Sequence, residues 1–428
     1  MGIENIKDVW NGFGNSCEFP LITTKPVKDV IVDGVSVVNK ANIAVMGTDN
    51  KTVCRVKKIG DRFFELKYKD LDYAYANEFF KTIRPTESVG YCSSVRNGNF
   101  YGRNFDWLYN DGAEFVIRID AKNGRYASLN VASNIDGFDR KLVESGKYTE
   151  KYRVLPFFTV DGINECGVVV NVNVVPKGGA GRNVYTDPII EKRHEMCSKA
   201  IPRFVLDNFS TAKEAVEYIR NYVSIFFPNI ESFSHYESHF MIGDENETYI
   251  LEAIDNRLEY LKVGEGEEYP SVMTNFHVNG TQLIDGKVDT SEENKSHVAL
   301  LGAGLERYNI AVENLDSCDT LEGITELMTK KIKYTNTYLE ETDPLWYSEM
   351  VGSLDLTLES PREDFGVVFD YARERFRNRE ENKEKGIYDT WQTTHTSVYD
   401  IANRELHLFM DEKDTEYVFK LEKYITLS

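Results

Sequence analysis

Cys92 is the residue with the strongest claim to chemistry, because charged residues that could act on a thiol come soon after it. The segment 92–107, CSSVRNGNFYGRNFDW, sets a thiol at Cys92, a guanidinium at Arg103 and a carboxylate at Asp106 close together in the chain. Asn97-Gly98 is a strong hairpin signal, since both residues tolerate the positive φ of a type I′ turn. With those two as the loop, Arg96 faces Asn99 and Cys92 faces Arg103. Directly opposed residues share a face of the sheet with Cβ atoms about 4.5–5.5 Å apart. The register therefore predicts a fixed cation beside the cysteine, which favours thiolate over thiol. Asp106 does not fit this alternation, because it should point to the other face from Arg103; either the strand kinks after Gly102 or Asp106 sits beyond its end. Taken singly, a strand cysteine is a small core hydrophobe and an arginine a surface charge. Their pairing by the turn is what suggests a nucleophile.

The elements around this hairpin are mostly short strands. Val30 to Val38 and Arg62 to Tyr68 read as strands ahead of it, with a helical pattern from Leu71 to Thr82. After it come Phe115 to Ile119, Tyr126 to Ala132, Gly167 to Val175, His239 to Gly243, Thr248 to Ala253 and Val272 to Asn275. Thr396 to Tyr399 and Glu405 to Met410 flank a turn at Asp400 to Arg404 and predict a second hairpin. Thr211 followed by Glu214 is a capping box, so a helix starts there. Asp319 to Lys331 is another helix candidate. Runs of strands with helices in separate runs predict an α+β fold of antiparallel sheets covered by helices.

Composition narrows the partners. The chain has 428 residues, 41% of them hydrophobic, and a formal net charge of −20. A nucleic-acid partner needs a basic surface to displace counterions, and this balance argues against one, as it does against anionic membranes. No window approaches the roughly 18 apolar residues of a membrane span, and the polar start lacks a signal-peptide pattern. A soluble cytoplasmic protein is expected. The six cysteines are scattered without CxxC spacing and read as reduced thiols, so neither metal nor cofactor is expected. Lys177 to Arg182 is glycine-rich but lacks a phosphate-loop ending and reads as a loop. The charge-dense stretch Arg373 to Lys385 reads as a solvated face. His239 and His395 lie in strand-like segments, where a hydrogen-bonded structural role is expected.

Cys92 with Gly102-Arg103-Asn104-Phe105-Asp106-Trp107 resembles the start of the mature chain in the choloylglycine hydrolase superfamily, which includes bile salt hydrolases, penicillin V acylases, N-acylethanolamine acid amidase and acid ceramidase. The resemblance continues, in the family's order, through 162–167 (GINECG), 168–175, 239–244 (HFMIGD), 273–276 (MTNF), 305–308 (LERY) and 395–400 (HTSVYD). It implies a four-layer αββα N-terminal-nucleophile fold, a domain from 92 to 428, and a leading segment 1–91 that is a propeptide or a separate chain. It also implies a mechanism. Cys92 would become the first residue of the mature chain, with its α-amine as base, and attack a linear amide to form a thioester that water hydrolyses. Asp106 would hold the α-amine and Arg103 would stabilise thiolate and transition-state charge. Asn275 would donate to the oxyanion, and Arg307 would support the site from a later helix. The second oxyanion asparagine is Asn171 or Asn173, two apart on one strand face; alignment favours Asn173.

The long leader departs from bile salt hydrolases and is more like the acid amidases and the acyl-coenzyme A:penicillin acyltransferase group, whose leading segment Gly60 to Leu66 resembles. The expected partner is a small-molecule N-acyl amide; whether the chain forms a homo-oligomer stays open. Two alternatives remain, an acyltransferase and an uncut homologue that only binds an acylated ligand. A papain-like protease needs a helix N-terminus at the cysteine, which the hairpin argues against.

Overall fold

The computed structural model describes residues 43–44, 53–60, 63–68, 71, 76, 79, 91–108, 113–121, 124–132, 154–176, 194–226, 236–254, 257–289, 302–333, 391–410 and 415–421. Two sheets carry the fold. The larger runs β1 (Ile43–Ala44), β2 (Val53–Lys58), β3 (Phe63–Tyr68), β6 (Glu114–Ile119), β7 (Ser128–Ala132), β8 (Thr159–Asn164), β9 (Val169–Pro176), β12 (Tyr236–Gly243), β13 (Thr248–Ile254) and β14 (Arg257–Val263), in that spatial order. The smaller runs β15 (Val272–Met273), β4 (Tyr91–Asn97), β5 (Phe100–Leu108), β18 (Trp391–Asp400), β19 (Glu405–Met410) and β20 (Thr415–Lys420). Two further pairs join β10 (His194–Cys197) to β11 (Val223–Phe226), and β16 (Asn275–Phe276) to β17 (Gly302–Ala303).

Alternation along the strands sorts their side chains into layers, because successive residues point to opposite faces. In the larger sheet Val169, Met241 and Ile250 join Cys92, Val95, Tyr101 and Phe105 in a core between the sheets. Val170, Phe240, Ile242 and Leu251 pack on the other face with α1 (Ile201–Asn208) and α2 (Ala212–Tyr222). α3 (Leu305–Glu313) and α4 (Leu321–Glu326) lie against the smaller sheet. The order is helix, sheet, sheet, helix, the α+β arrangement expected. Among the described residues no helix is long and apolar enough to cross a membrane.

The smaller sheet is antiparallel throughout, but the larger departs from expectation at one pair. β3 and β6 run parallel, Phe63 beside Glu114 and Tyr68 beside Ile119. Parallel neighbours need a long crossover, and here the chain makes the β4–β5 hairpin in the other sheet before returning. The segment ahead of Cys92 thus supplies core: Phe63, Phe64, Leu66 and Tyr68 are all buried. The Thr211 cap is present, its hydroxyl accepting from Glu214 N at 3.2 Å. The Asp319 to Lys331 candidate becomes α4, capped by Thr320, continued by a π turn over Leu327–Lys331. Val30 to Val38, Lys177 to Arg182, Arg373 to Lys385 and most of Leu71 to Thr82 lie outside the described residues.

Candidate active site

The β4–β5 turn is Gly98-Asn99, one residue later than predicted. Gly98 adopts φ 54° and Asn99 stays out of the positive region, the pattern of a glycine-first type II′ turn. Asn97 is held as the last residue of β4, where its carboxamide donates to Leu315 O at 2.7 Å. Cys92 consequently faces Phe105, and Arg103 faces Ser94. Every partner moves by two, so the predicted pairing of Cys92 with Arg103 is wrong but the predicted shared face is right. Arg103 is a diagonal neighbour, and its Nη2 lies 3.4 Å from Cys92 Sγ.

Successive residues of β5 alternate in role as they alternate in direction. Gly102 faces the helical layer, where a Cβ would stand 2.6 Å from Met328 Cγ. Asn104 faces the same way and donates to Met328 O at 2.9 Å and Ile332 O at 3.2 Å, capping the π turn. Arg103 and Phe105 face the larger sheet. Asp106 returns to the helical side and meets Arg307 Nη1 at 2.5 Å. Neither alternative expected for Asp106 holds: β5 keeps its register past Gly102 without a kink, and Asp106 lies within it, on the face opposite Arg103.

Around the thiol, charge is balanced between the sheets. Arg103 Nη1 pairs with Asp161 Oδ2 at 3.1 Å, and Nη2 donates to Val172 O at 3.1 Å. Its guanidinium lies 4.5 Å from the Phe105 ring centroid. Asp161 also accepts from the Tyr399 hydroxyl and lies 3.4 Å from His395 Nε2, while His395 Nδ1 meets Glu114 Oε2 at 2.7 Å. Burial alone would raise the Asp161 pKa, but the His395 hydrogen bond and the Arg103 charge hold it below the ordinary carboxylate value. Burial alone would lower that of His395, but Glu114 and Asp161 raise it above the ordinary imidazole value. Cys92 behaves otherwise. Burial pushes its thiol up, Arg103 pulls it down, Asp106 pushes it up, and the Asp106 N–H and Arg307 pull it down, leaving it raised. The expected thiolate is thus not the resting form in the intact chain, because desolvation outweighs the cation.

Around the backbone nitrogen the arrangement is different. Cys92 N–H donates to Asn275 Oδ1 at 2.9 Å, and Arg307 Nη2 donates to the same oxygen at 3.2 Å. Asn275 Nδ2 donates to Val174 O at 2.8 Å. Two donors at one end and an acceptor at the other fix the orientation of the carboxamide, and one of its two N–H bonds is left over. Asp106 Oδ1 accepts from Thr393 Oγ1 at 2.5 Å, beside a bulge in β18 between Thr393 and His395. Asp106 and Arg307 are fully buried.

A family model described as linear amide C–N hydrolases, choloylglycine hydrolase family, matches residues 92–293, beginning on Cys92 itself. By this match the chain belongs, over residues 92–293, to the choloylglycine hydrolase family. It is a cysteine-nucleophile hydrolase of linear C–N amide bonds. A variant of the conjugated bile acid hydrolase from Clostridium perfringens is 14% identical, with 78% of this chain and 93% of that one covered at a TM-score of 0.44. Penicillin V acylase from Agrobacterium tumefaciens is 15% identical, with 79% and 80% covered at 0.32. A search among curated proteins finds no significant match.

Of the residues singled out in the sequence, Cys92, Arg103, Asp106, Asn275 and Arg307 come together directly. Asn171 and Asn173 share a face, as predicted, and join the site through Ser94. Asn171 Nδ2 donates to Ser94 Oγ at 2.6 Å and to Asn173 Oδ1 at 2.8 Å. Asn173 Nδ2 lies 3.3 Å from Met273 O and 3.2 Å from Thr274 O. His239 and His395 are hydrogen-bonded as expected, both inside buried charge networks. Asp161, Glu114, Thr393 and Glu252 were not singled out; Asp161 directly precedes the GINECG block, which was the available signal. Among the described residues no group of three or more His, Cys, Asp or Glu is placed to hold a metal.

Proposed function

We propose that the chain cuts itself at Tyr91–Cys92 and that the mature enzyme hydrolyses N-acyl amides through a Cys92 thioester. The observation that carries this is that Cys92 is addressed at both ends: Arg103 at Sγ and Asn275 at the backbone nitrogen. A cysteine that only fills core needs neither. In the cut, Sγ adds to the Tyr91 carbonyl, the C–N bond breaks as the nitrogen takes up the thiol proton, and water hydrolyses the resulting thioester to leave a Tyr91 carboxylate and a free Cys92 thiol and α-amine. That amine has an intrinsic pKa of about 7.7–8.0 and can take the thiol proton at neutral pH. The thiolate then attacks the substrate carbonyl, the proton leaves with the departing amine, and water hydrolyses the thioester.

In this scheme Asn275 keeps its oxygen on the α-amine and offers its remaining N–H to the oxyanion, the kind of donor that usually contributes most to acyl transfer. Arg307 orients Asn275 and Asp106, and Asp106 balances the new α-ammonium. Arg103 stabilises the thiolate. Asn173 would act as an oxyanion donor only by exchanging a bond to Met273 or Thr274; a role in fixing that segment needs no exchange. The buried β3 supports retention of the leading segment after the cut.

Selectivity should reside in the acyl group, because the amine departs as the thioester forms. An apolar pocket discriminates by only about 1–3 kcal/mol per methylene. Two panels test this, one with glycine fixed and the acyl group varied from short fatty chains to a bile acid, one with the acyl group fixed and the amine varied. Penicillin V joins the first. Rates that follow the acyl group support the reading; rates that follow the amine alone overturn it. A competing amine that captures the acyl group would make the enzyme an acyltransferase.

A further inference from the structure

Asn275 acts from a segment with little regular structure. β15 and β16 have two residues each, so side chains from the larger sheet must fix the chain between them. Two donors converge on the Thr274 carbonyl, His239 Nε2 at 2.9 Å and Asn173 Nδ2 at 3.2 Å. Beyond Asn275, Glu252 accepts from Val278 N at 3.0 Å and Asn279 N at 2.9 Å. His239 Nδ1 joins the two anchors, 3.0 Å from Glu252 Oε1. Both ring nitrogens of His239 thus face acceptors, which asks both to donate. Glu252 and His239 are fully buried. Burial alone would raise the Glu252 pKa, but its bond from His239 and the nearby His277 hold it below the ordinary carboxylate value.

A buried carboxylate is a poor way to stabilise a sheet, since an apolar side chain of similar volume often does as well or better. Here its contacts all serve one stretch, 274–279, and Asn275 lies inside it. We propose that Glu252 and His239 are positioning residues for Asn275, bracing residues 274–279 on both sides so that its carboxamide meets the Cys92 nitrogen and the oxyanion. The proposal rests on the role of Asn275 given above, and its test separates the two.

Glu252→Gln replaces one acceptor oxygen with an NH2 group, so at least one donor then faces a donor. Misplacement near a reacting centre can cost on the order of 10²-fold. Turnover of N-decanoyl glycine or penicillin V should fall by roughly 10–100-fold in kcat with KM little changed, and the pH profile of Cys92 alkylation by iodoacetamide should stay as in the wild type. In an Asn275→Ala background the same change should add almost nothing, since residues acting through one another are not additive. An equal loss with and without Asn275, or a shifted alkylation profile, overturns the proposal. Intact turnover in Asn275→Ala alone removes the role of Asn275 and the proposal with it. Should Glu252→Gln not fold, hydrogen exchange on the wild type decides. The Val278 and Asn279 amides should be protected like those of β13, and exchange at exposed-loop rates overturns the brace.

Discussion

The two ends of Cys92 are held by differently built regions. The thiol sits where two long sheets meet, and its neighbours Arg103, Asp161 and His395 come from strand interiors, β5, β8 and β18. The nitrogen sits where a two-residue strand and a helix supply Asn275 and Arg307, and Asp106 reaches them from β5 beside the β18 bulge. The first region is rigid because ladders of backbone bonds fix each side chain's direction. The second is short of such bonds, so it is held by side chains: Arg307 on Asp106, Glu252 on two backbone amides, His239 and Asn173 on one carbonyl. Buried charge thus serves different ends in the two regions, tuning a nucleophile in one and fixing a loop in the other.

The sharpest way to break this contrast is at its centre. Asn275→Ala should lower turnover by about 10²–10³ and leave the alkylation profile of Cys92 in place; a loss confined to KM would make Asn275 a substrate-binding residue instead. Arg103→Ala should move that profile as well as lower turnover. It leaves Asp161 with His395 and Tyr399 as its remaining partners, which should lower stability, and it removes the cation that opposes burial at Cys92. Burial already holds the Cys92 thiol above its ordinary pKa in the intact chain, so the alkylation midpoint of the variant should lie above that of the wild type. An unmoved midpoint would show that Arg103 does not act on the thiol.

Smaller effects probe the supports. Gly102→Ala inserts a methyl against Met328 and should cost about 1–3 kcal/mol by overpacking, visible as a lower melting temperature. His395 has its folded pKa raised above the unfolded 6.5, so its contribution is complete below that value and lost as pH rises through the folded pKa. Wild-type melting temperature should decline as pH rises from 6.5 through the folded pKa, and His395→Gln should lack this part of the decline. A decline unchanged in the variant would assign it to another group.

Legibility in the sequence divides along the same line. Alternation within β5 placed Arg103 on the face of the thiol, and an error of one residue in the turn did not alter that; the kink or strand end expected at Asp106 was wrong, because β5 runs on in register through it. The capping box at Thr211, the β18–β19 hairpin and strands such as β3, β6, β7, β9 and β13 were legible because their signals are local, whereas β2, β8, β14 and β20 were not read. Asp161, Thr393 and Glu252 were not, since a single polar residue in a strand looks the same whether it faces water or a buried arginine. The parallel β3–β6 pair was hidden for a related reason: it depends on where the intervening hairpin goes. Asn171 and Asn173 were legible as a pair on one face, but which atoms they meet is set by residues 273 and 274, about a hundred positions on.

The most direct test is N-terminal sequencing of the purified, active protein together with its intact mass. If Cys92 works through its own α-amine, the wild type should yield a chain beginning Cys92-Ser93-Ser94 and a partner ending at Tyr91, whereas Cys92→Ala should remain a single inactive chain. A wild-type protein that is fully active with Tyr91 still joined to Cys92 would contradict the account.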